Sequence, residues 1–345
     1  MHALILAGGK GTRLRPLTVY TPKPIVPVMN RPFLLYQIEI LRKAGIRDIT
    51  LSLSYQPDKI EQLLGDGSEF DVRIRYLTEP NPLGTGGAYR YASSDLNDTT
   101  VVLNGDILTN ADLSAIIDFH RKSGAETTIT LTPVDDPGNY GLVDTEEDMR
   151  VSRFVEKPKP GETGKRKLNK INAGIYVLEP TVRDLIAKNE NRSFEYHVFP
   201  ELLEKKREFY GYELNGAYWR DLGTPENYLG AHMDFLSGRI AGFEIPEFDL
   251  SEIATHAMVE RSIIGDGCTI KPNAEIVNSV IGPGVHVEEK ARVENSVIWS
   301  HTRISSFAAV NGAVLARSCH IGRNSIIREG TVLGDKASIP DYSRV

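Results

Sequence analysis

The chain has 345 residues, enough for two domains that each bury an apolar core. Its formal net charge of −6 argues against a general binder of nucleic acid or of anionic membranes, because such binders carry basic patches. The sequence has no signal-peptide pattern, and no apolar run approaches the roughly 18 residues that span a membrane. We therefore expect a cytoplasmic protein with neither a membrane nor a nucleic-acid partner.

Short apolar runs alternate with stretches of helical periodicity over the first two thirds of the chain. In chain order, the predicted elements are strand 4–7, helix 32–44, strand 48–54, helix 60–64, strand 72–76, strand 100–103, helix 111–123, strand 127–132 and strand 171–177. This alternation predicts an α/β domain over residues 1–237, with a mostly parallel, Rossmann-like sheet and helices on both faces. Active sites in such sheets lie beyond the carboxyl ends of the strands.

A glycine-rich segment, residues 8–13, directly follows the first predicted strand. Its three glycines leave the backbone N–H groups bare, so that a phosphate or a base can approach them closely. Arg13 adds a forked permanent cation, and Lys23 adds a point charge between two prolines. The segment fits neither a Walker loop nor the dinucleotide fingerprint, since Arg13 stands where a third glycine would open a helix. The combination indicates a site for a nucleoside triphosphate.

A different periodicity begins after residues 238–250, which lack a clear period and are predicted to be a linker. Apolar residues then recur every 17 residues in three ladders, spaced six, six and five within each repeat. The ladders are Ile253, Ile270, Val287, Ile304, Ile321; Val259, Ile276, Val293, Val310, Ile327; and Ile264, Ile281, Ile298, Leu315, Val332. This hexad pattern predicts a parallel β-helix over residues 251–345, with no loop interrupting the 17-residue step.

Two cysteines, Cys268 and Cys319, are separated by three coils of the predicted β-helix. Coils stack at the strand spacing, which places the two residues about 14 Å apart. A disulfide requires Cα atoms within about 7 Å of each other. We therefore expect both cysteines to be free and buried in the wall of the β-helix.

The order of the motifs resembles that of the sugar-1-phosphate nucleotidyltransferases, also called nucleotide-sugar pyrophosphorylases. After the glycine-rich segment come LGTGGA at 83–88, NGD at 104–106, YG at 140–141, EKP at 156–158, NAG at 172–174 and WRDLG at 219–223. The resemblance covers nearly the whole chain. It is closest to the mannose-1-phosphate guanylyltransferase branch, in which the catalytic domain precedes a left-handed β-helix.

The resemblance implies nucleotidyl transfer, in which a sugar 1-phosphate attacks the α-phosphorus of a nucleoside triphosphate and pyrophosphate leaves. The attacking phosphate is already anionic, so catalysis rests on cations and positioning rather than on a general base. The implied catalytic set is Arg13, Lys23, Asp106, Lys157 and Asp221. Asp106 and Asp221 would hold Mg²⁺, which typically binds one or two carboxylates together with phosphates and waters.

Two sets of binding residues follow from the same resemblance. The implied nucleotide-binding residues are Leu6, Ala7, Gly8, Gly9, Gly11, Thr12, Arg13, Lys23, Glu79, Gly84, Thr85, Asn104 and Asp106. The implied sugar-phosphate-binding residues are Gly141, Glu156, Lys157 and Asn172. Glu79 favours GTP, since a carboxylate accepts both donors on one guanine edge, whereas thymidylyl relatives carry glutamine near this position.

The identity of the sugar is the least constrained feature, because Gly86 stands where the mannose-specific branch often has alanine. Mannose 1-phosphate is favoured, with GDP-mannose as the product. The alternatives are glucose or heptose 1-phosphate as the sugar substrate, and UTP, dTTP or ATP as the nucleotide.

Two other functions are compatible with the predicted architecture. A non-catalytic regulatory homologue would share the fold, but the complete set of implied catalytic residues argues against it. An acyltransferase site in the β-helix would require a histidine with a loop insertion, and His286, His301 and His320 have no such loop. The β-helix is therefore predicted to be structural and to form a homo-oligomer that covers its open edges.

Overall fold

The computed structural model describes residues 1–79, 81–159, 169–245 and 251–345. Their contacts divide the chain into two compact units. The first unit comprises Met1–Gly9 and Tyr36–Trp219, and the second comprises Lys10–Leu35 and Arg220–Val345. The domain bounds 1–237, 238–250 and 251–345 stay a prediction, and residues 246–250 of the predicted linker lie outside the described residues.

Thirteen strands precede the β-helix in the described part of the chain. They are β1 His2–Leu6, β2 Pro27–Val28, β3 Arg31–Pro32, β4 Asp48–Leu53, β5 Arg73–Thr78, β6 Thr100–Asn104, β7 Ile107–Thr109, β8 Thr127–Pro133, β9 Gly141–Thr145, β10 Val151–Glu156, β11 Lys170–Leu178, β12 Phe209–Glu213 and β13 Trp219–Asp221. The α-helices are α1 Leu34–Lys43, α2 Pro57–Leu64, α3 Gly84–Ala92, α4 Leu113–Ser123, α5 Pro180–Arg183, α6 Phe199–Glu204 and α7 Pro225–Leu236. Short 3₁₀ turns occur at Thr12–Leu14, Lys23–Ile25 and Ser68–Phe70, and a π-helical turn at Phe194–Val198.

A nine-stranded sheet forms the centre of the first unit. Its main order is β10-β9-β11-β6-β1-β4-β5, and β8 joins it beside β11 with β12 on its far side. Strands β6, β1, β4 and β5 are parallel to one another, whereas β11 runs antiparallel to its neighbours. The three central residues of β1, Ala3 to Ile5, are apolar and buried, as expected for a parallel strand covered on both faces. The predicted α/β fold is confirmed, and all nine predicted strands and helices are present.

The β-helix of the second unit consists of three sheets of short parallel strands. The first sheet contains β14 Glu252–Ile253, β17 Thr269–Ile270, β20 His286–Val287, β23 Arg303–Ile304, β26 His320–Ile321 and β29 Ser338–Ile339. The second contains β15 Met258–Glu260, β18 Glu275–Val277, β21 Arg292–Glu294, β24 Ala309–Asn311 and β27 Ile326–Ile327. The third contains β16 Ile263–Ile264, β19 Val280–Ile281, β22 Val297–Ile298, β25 Val314–Leu315 and β28 Val332–Leu333. The predicted ladder residues of the central coils are buried in one shared core.

The predicted 17-residue step is wrong at the last coil. Leu315 pairs with Leu333 rather than with Val332, and Ile321 pairs with Ile339, so that both steps are 18 residues. The additional residue lies in the turn between β27 and β28. Gly330 in this turn has a φ of +81°, a left-handed conformation that glycine adopts without steric cost. The turn therefore absorbs the extra residue, and the stack of strands continues.

Both cysteines are free and buried, as predicted. The Cys268 thiol donates to the carbonyl oxygen of Gly282 over 3.1 Å, and the Cys319 thiol donates to that of Gly334 over 3.3 Å. Burial raises the pKa of Cys319 to about 11, so this thiol is not a reactive thiolate near neutral pH. Within the described ranges, no helix combines the length and the apolar character that crossing a bilayer demands.

Candidate active site

Two neighbouring parallel strands of the first unit, β1 and β6, end side by side and carry two of the predicted motifs. Leu6, the last residue of β1, pairs with Asn104, the last residue of β6. The Gly105 amide donates to the Leu6 carbonyl oxygen over 2.9 Å, and a Cβ on Gly105 would lie only 2.7 Å from that oxygen. Glycine is therefore required in this turn. The turn brings the partly buried Asp106 to the edge of the sheet at which Gly8 follows β1.

The turn that carries Asp106 is held by a glutamine that the sequence analysis did not single out. Gln37 of α1 is 1% exposed, and its Nε2 donates to the carbonyl oxygens of Asn104 over 2.8 Å and of Ile107 over 3.0 Å. A buried amide that bonds both sides of a turn restricts its movement. Gln37 thus helps to fix the position of Asp106.

Glu79 lies beside Gly8 of the glycine-rich segment, and its contact with a base stays a prediction. A Cβ on Gly8 would be 3.2 Å from Glu79 Oε1 and 3.1 Å from Ser54 Oγ. The Ser52 hydroxyl donates to Glu79 Oε1 over 3.0 Å, and the Leu83 amide donates to Oε2 over 3.1 Å. Each carboxylate oxygen can accept a second hydrogen bond, so both retain capacity for two donors on a base. The sequence analysis missed Ser52, which donates to Glu79, and Ser54, which lies beside Gly8.

Two further predicted nucleotide-binding residues, Ala7 and Gly9, complete the first-unit part of the glycine-rich segment. The Ala7 amide donates to the carbonyl oxygen of Ser52 over 2.9 Å, so the end of β1 still pairs with β4. Gly9 is exposed, and a Cβ placed on it would meet nothing within 4 Å. The backbone at Gly9 is therefore open to a ligand on the side where a side chain would stand.

The glycines of α3 pack against backbone rather than against open space. A Cβ on Gly84 would lie 2.7 Å from the carbonyl oxygen of Arg192, and one on Gly87 would lie 2.5 Å from that of Glu190. Thr85 Oγ1 donates to Glu195 Oε2 over 3.0 Å and also accepts a hydrogen bond from the Phe194 amide. Gly84 and Thr85 thus join α3 to residues 190–195, and their contact with a nucleotide stays a prediction.

Gly141 and Glu156, two predicted sugar-binding residues, are paired across β9 and β10. A Cβ on Gly141 would lie 2.8 Å from Glu156 Oε2 and 2.6 Å from the ring of Phe154. Burial, together with the negative charge of Glu195, raises the pKa of Glu156 to about 7. Glu156 Oε2 is buried and has no hydrogen-bond partner among the described residues. It is therefore an acceptor that a bound hydroxyl group would satisfy.

Asn172 and Asn104 meet at one buried hydroxyl group. Asn172 Nδ2 donates to the hydroxyl oxygen of the fully buried Tyr176 over 2.9 Å, and Asn104 Nδ2 approaches the same oxygen at 3.4 Å. Asn172 Oδ1 accepts from the Gly174 amide over 2.9 Å, which fixes the orientation of its side chain. The structure thus links the NGD motif of β6 to the NAG motif of β11.

Lys157 follows Glu156 directly and is exposed. Its φ of +46° is in the left-handed region, and its amide donates to the carbonyl oxygen of Tyr140 over 3.1 Å. An unusual backbone conformation in a non-glycine residue persists only where the surroundings hold it. The tight turn places a cation next to the candidate sugar contacts.

The second unit contains the rest of the glycine-rich segment. Gly11 has a φ of +61°, and a Cβ on it would lie 3.0 Å from the Cβ of Lys23. The Thr18 hydroxyl donates to the Gly11 carbonyl oxygen over 2.7 Å, which closes the loop between them. Lys23 is only 9% exposed, whereas Thr12 is exposed at the start of its 3₁₀ turn. The close approach of Gly11 explains why a side chain is excluded there.

The side chains of Arg13 and Asp221 lie next to Gly223, on the side where another residue would carry its Cβ. A Cβ on Gly223 would lie 2.9 Å from Arg13 Nη2 and 3.1 Å from Asp221 Oδ2. Asp221 is 8% exposed, and its Oδ1 accepts a hydrogen bond from Asn227 Nδ2. Asn227 is itself fixed at the start of α7, where its backbone N–H donates to the capping hydroxyl of Thr224 over 3.3 Å. The second unit therefore brings a cation and a nearly buried carboxylate together over a glycine.

The donor chemistry of the predicted metal residues fits a hard divalent cation. Asp221 offers carboxylate oxygens and bonds a neutral amide, and the described residues contain no group of three or more histidine, cysteine or acidic side chains suited to a metal. Mg²⁺ commonly completes its shell with phosphate oxygens and waters. Asp106 belongs to the first unit and Asp221 to the second, so their action on one ion stays a prediction.

Comparison with known sequences yields two family matches. Residues 2–238 match the family described as Nucleotidyl transferase, and residues 249–345 match the family described as EIF2B subunit epsilon LbH domain. The second match agrees with the three stacks of parallel strands. The predicted left-handed β-helix is confirmed.

Several individual proteins are similar to the chain. It is 43% identical over 240 residues to "Mannose-1-phosphate guanylyltransferase" of Mycobacterium tuberculosis and 41% identical over 243 residues to "Mannose-1-phosphate guanyltransferase" of Saccharomyces cerevisiae. Each of these matches covers 69% of this chain and 65% of the relative, so the chain spans slightly less than two thirds of their length. It is 39% identical over 283 residues to "Probable mannose-1-phosphate guanylyltransferase 1" of Oryza sativa subsp. japonica, covering 79% of this chain and 75% of the relative.

Proposed function

Because the chain belongs to the nucleotidyl transferase family, we propose that it transfers a nucleotidyl group from a nucleoside triphosphate to a sugar 1-phosphate. The proposed substrates are GTP and mannose 1-phosphate, and the products are GDP-mannose and pyrophosphate. The names of the similar proteins support this choice. The observation that carries the proposal is the position of Glu79, whose carboxylate lies beside the bare backbone of Gly8.

Recognition of guanine is assigned to Glu79. Guanine presents N1–H and N2–H₂ on one edge, and the two carboxylate oxygens can accept both. Ser52 and the Leu83 amide orient the carboxylate through one hydrogen bond to each oxygen. A base with a hydrogen-bond acceptor at this edge would place that acceptor opposite the carboxylate oxygens, which are also acceptors. Such a base would bind more weakly than guanine.

Charge stabilisation is assigned to residues of both units. Arg13 and Lys23 would neutralise the triphosphate and the departing pyrophosphate, as cations fixed near developing negative charge do. Asp106 and Asp221 would hold Mg²⁺, which when bound would neutralise phosphate oxygens and align them. Asn227 and Gln37 would orient the two carboxyl groups through the contacts described above.

The sugar phosphate is assigned to the polar residues on β9, β10 and β11. Glu156 Oε2 and Asn172 would accept and donate hydrogen bonds to sugar hydroxyls, and Gly141 would admit the ring close to the backbone. Lys157 would bind the phosphate. One phosphate oxygen then forms a bond to the α-phosphorus, the bond between the α-phosphorus and the bridging oxygen to the β-phosphorus breaks, and pyrophosphate carries away the electron pair.

The glycine at position 86 does not weigh against mannose. A Cβ there would lie 3.1 Å from the carbonyl oxygen of Arg192 and 3.1 Å from Val198 Cγ2. The residue type at this position is therefore tied to the packing of α3 on residues 190–198. We therefore assign this position to the packing of the scaffold and not to recognition of the sugar.

The proposal includes homo-oligomerisation through the β-helix. In the described residues the strands of the first coil, β14 to β16, pair on one side only. Ile253 and Met258 in this coil are 48% and 43% exposed. An unpaired strand edge with apolar side chains is a surface that a second copy can cover. The predicted cytoplasmic location stays a prediction.

The substrates are tested by pyrophosphate release in the presence of Mg²⁺. GTP, UTP, dTTP, ATP and CTP are each combined with mannose, glucose and heptose 1-phosphate. We expect the highest kcat/KM for GTP with mannose 1-phosphate. A higher value with another base would contradict the role of Glu79 in guanine selection, and absence of release from every pair would favour a regulatory protein.

Replacing Glu79 with glutamine should lower kcat/KM for GTP by about 10- to 100-fold. The amide would direct N–H donors at groups that are themselves donors, while the shape of the side chain is preserved. Pyrophosphate release measures the change, and Glu61→Gln on the exposed face of α2 is the matched control. Equal kcat/KM for GTP in the Glu79 variant and the wild type would exclude the assigned contact.

Sugar-phosphate binding should depend on the ionisation of Glu156. Its pKa of about 7 means that the carboxyl group is protonated below this pH and becomes a full acceptor above it. We therefore expect KM for mannose 1-phosphate to decrease as the pH rises from about 6 to about 8, the range in which Glu156 ionises. Glu156→Gln removes the pH dependence that comes from Glu156 but keeps that of the substrate phosphate. The ratio of the KM of the variant to that of the wild type therefore reports the ionisation of Glu156 alone. A ratio that is constant with pH would contradict the assignment.

A further inference from the structure

A chain of buried hydrogen bonds runs within the second unit from the β-helix to the loop that carries Lys23. The indole Nε1 of Trp299, which directly follows β22, donates to the hydroxyl oxygen of Tyr228 over 2.9 Å. The same hydroxyl group donates to the carbonyl oxygen of Pro27 in β2. Trp299 and Tyr228 are both buried, and an indole N–H can only donate. The Tyr228 hydroxyl therefore links the β-helix to the loop through hydrogen bonds on both sides.

Tyr228 also belongs to the helix that orients Asp221. It follows Asn227, whose side-chain amide donates to Asp221, so the first turn of α7 is held at adjacent residues. His232, one turn later, donates from Nδ1 to the Tyr228 carbonyl oxygen over 2.9 Å, and its ring lies 4.5 Å from the Tyr228 ring. Burial lowers the pKa of His232 to about 4, which keeps it neutral near neutral pH. The surroundings of Tyr228 are thus fixed by packing as well as by hydrogen bonds.

The loop between residues 10 and 35 contacts the β-helix at two further points. Asn30 Nδ2 donates to the carbonyl oxygen of Ile281, a ladder residue of β19, over 2.8 Å. A Cβ placed on Gly334 would be 3.1 Å from the Cβ of Pro16. Pro16 lies three residues after Arg13, and Pro27 lies four residues after Lys23. The β-helix therefore supports the loop shortly after each of its two cations.

We propose that Trp299 is a positioning residue for nucleotidyl transfer. By donating to Tyr228 it fixes the Pro27 carbonyl group and the start of α7, and it thereby maintains the positions of Lys23 and Asp221. The β-helix acts within its own chain on the nucleotide half of the reaction, in addition to any role between chains. This inference rests on the proposed function.

The test compares three single variants of the full-length chain. Trp299→Phe keeps an aromatic ring but removes the N–H donor, and Tyr228→Phe removes the hydroxyl group that joins the two sides. Val293→Ala removes packing inside the β-helix core, to which Val293 belongs, and does not alter the hydrogen-bond chain. It is the control for a loss of stability alone. Calorimetry measures the Kd for GTP with Mg²⁺, and pyrophosphate release measures kcat and both KM values.

We expect Trp299→Phe to raise the Kd for GTP about tenfold. The KM for mannose 1-phosphate should be unchanged, because the residues assigned to the sugar phosphate lie in the first unit. Tyr228→Phe should raise the Kd for GTP further than Trp299→Phe does. The double variant that carries both substitutions should bind GTP no more weakly than Tyr228→Phe alone, since both act through one chain of hydrogen bonds. Val293→Ala should leave the Kd and both KM values unchanged at a temperature where it is folded.

An equal change in the two KM values, or equal GTP affinity of Trp299→Phe and Val293→Ala, would overturn the positioning role. These outcomes are distinct from failure of the proposed function. In that case the wild-type chain itself would release no pyrophosphate from any substrate pair.

Discussion

Replacing Asp221 with asparagine is expected to lower kcat by about 10²- to 10³-fold while leaving the fold intact. The carboxylate is 8% exposed and accepts from Asn227, a bond that an asparagine oxygen can also accept. The negative charge toward a divalent ion would be lost, but the packing would not. Pyrophosphate release as a function of Mg²⁺ concentration measures the effect, and thermal unfolding confirms the fold.

The control for this variant is Asp118→Asn, a matched change at an exposed position of α4. It should retain wild-type kcat, because surface ion pairs contribute little. Near-normal turnover of the Asp221 variant at limiting Mg²⁺ would show that this carboxylate does not bind the ion.

Replacing Arg13 with alanine is expected to lower kcat/KM for GTP by about 10²- to 10³-fold, because a fixed cation at the phosphates is lost. Gly223→Ala should reproduce part of this loss without touching the arginine. The new Cβ would lie 2.9 Å from Arg13 Nη2, and the flexible guanidinium would move away rather than the backbone. Stability should therefore change little, and pyrophosphate release should fall.

The double variant tests whether the two changes act through the same group. If the methyl group acts by displacing the guanidinium, adding Gly223→Ala to Arg13→Ala should cause no further loss. Gly138→Ala, at an exposed turn, is the control for the addition of a methyl group. Additive effects of the two substitutions would contradict the displacement and point to Asp221, 3.1 Å from the same Cβ, as the group affected.

Periodicity predicted the elements whose side chains face a core. The apolar residues of β1 and the ladder residues of the β-helix recur at the spacing that burial imposes, and they are buried as expected. The order of the motifs predicted the family, and this prediction is confirmed. These patterns depend on many residues at once, so a single substitution does not obscure them.

Helix α3 was missed for a physical reason. Three glycines in its first turn disfavour a helix by intrinsic propensity. In the structure they are required, because Cβ atoms at Gly84 and Gly87 would overlap the backbone of residues 190–192. The contact partner is more than a hundred residues away, and a local pattern contains no information about it. The 18-residue step at Gly330 was missed because one extra residue in a turn leaves the apolar spacing almost unchanged.

The candidate site was predictable only for residues within motifs. Glu79 and Asp221 were identified because their neighbours in sequence form recognisable patterns. Ser52, Gln37 and Asn227 were not, although each bonds a group within or beside a predicted site residue. Isolated serines, glutamines and asparagines are common on surfaces, and only the folded chain shows which of them orient a carboxylate.

The activity that we propose for this chain is the joining of GTP to mannose 1-phosphate. Its most direct test is ³¹P NMR of the purified full-length protein with both substrates and Mg²⁺, with the Asp221→Asn variant as the blank. We predict stoichiometric appearance of GDP-mannose and pyrophosphate with the wild type and none on the same time scale with the variant. Release of free phosphate without a nucleotide sugar, or no product under conditions where GTP binds, would contradict this activity.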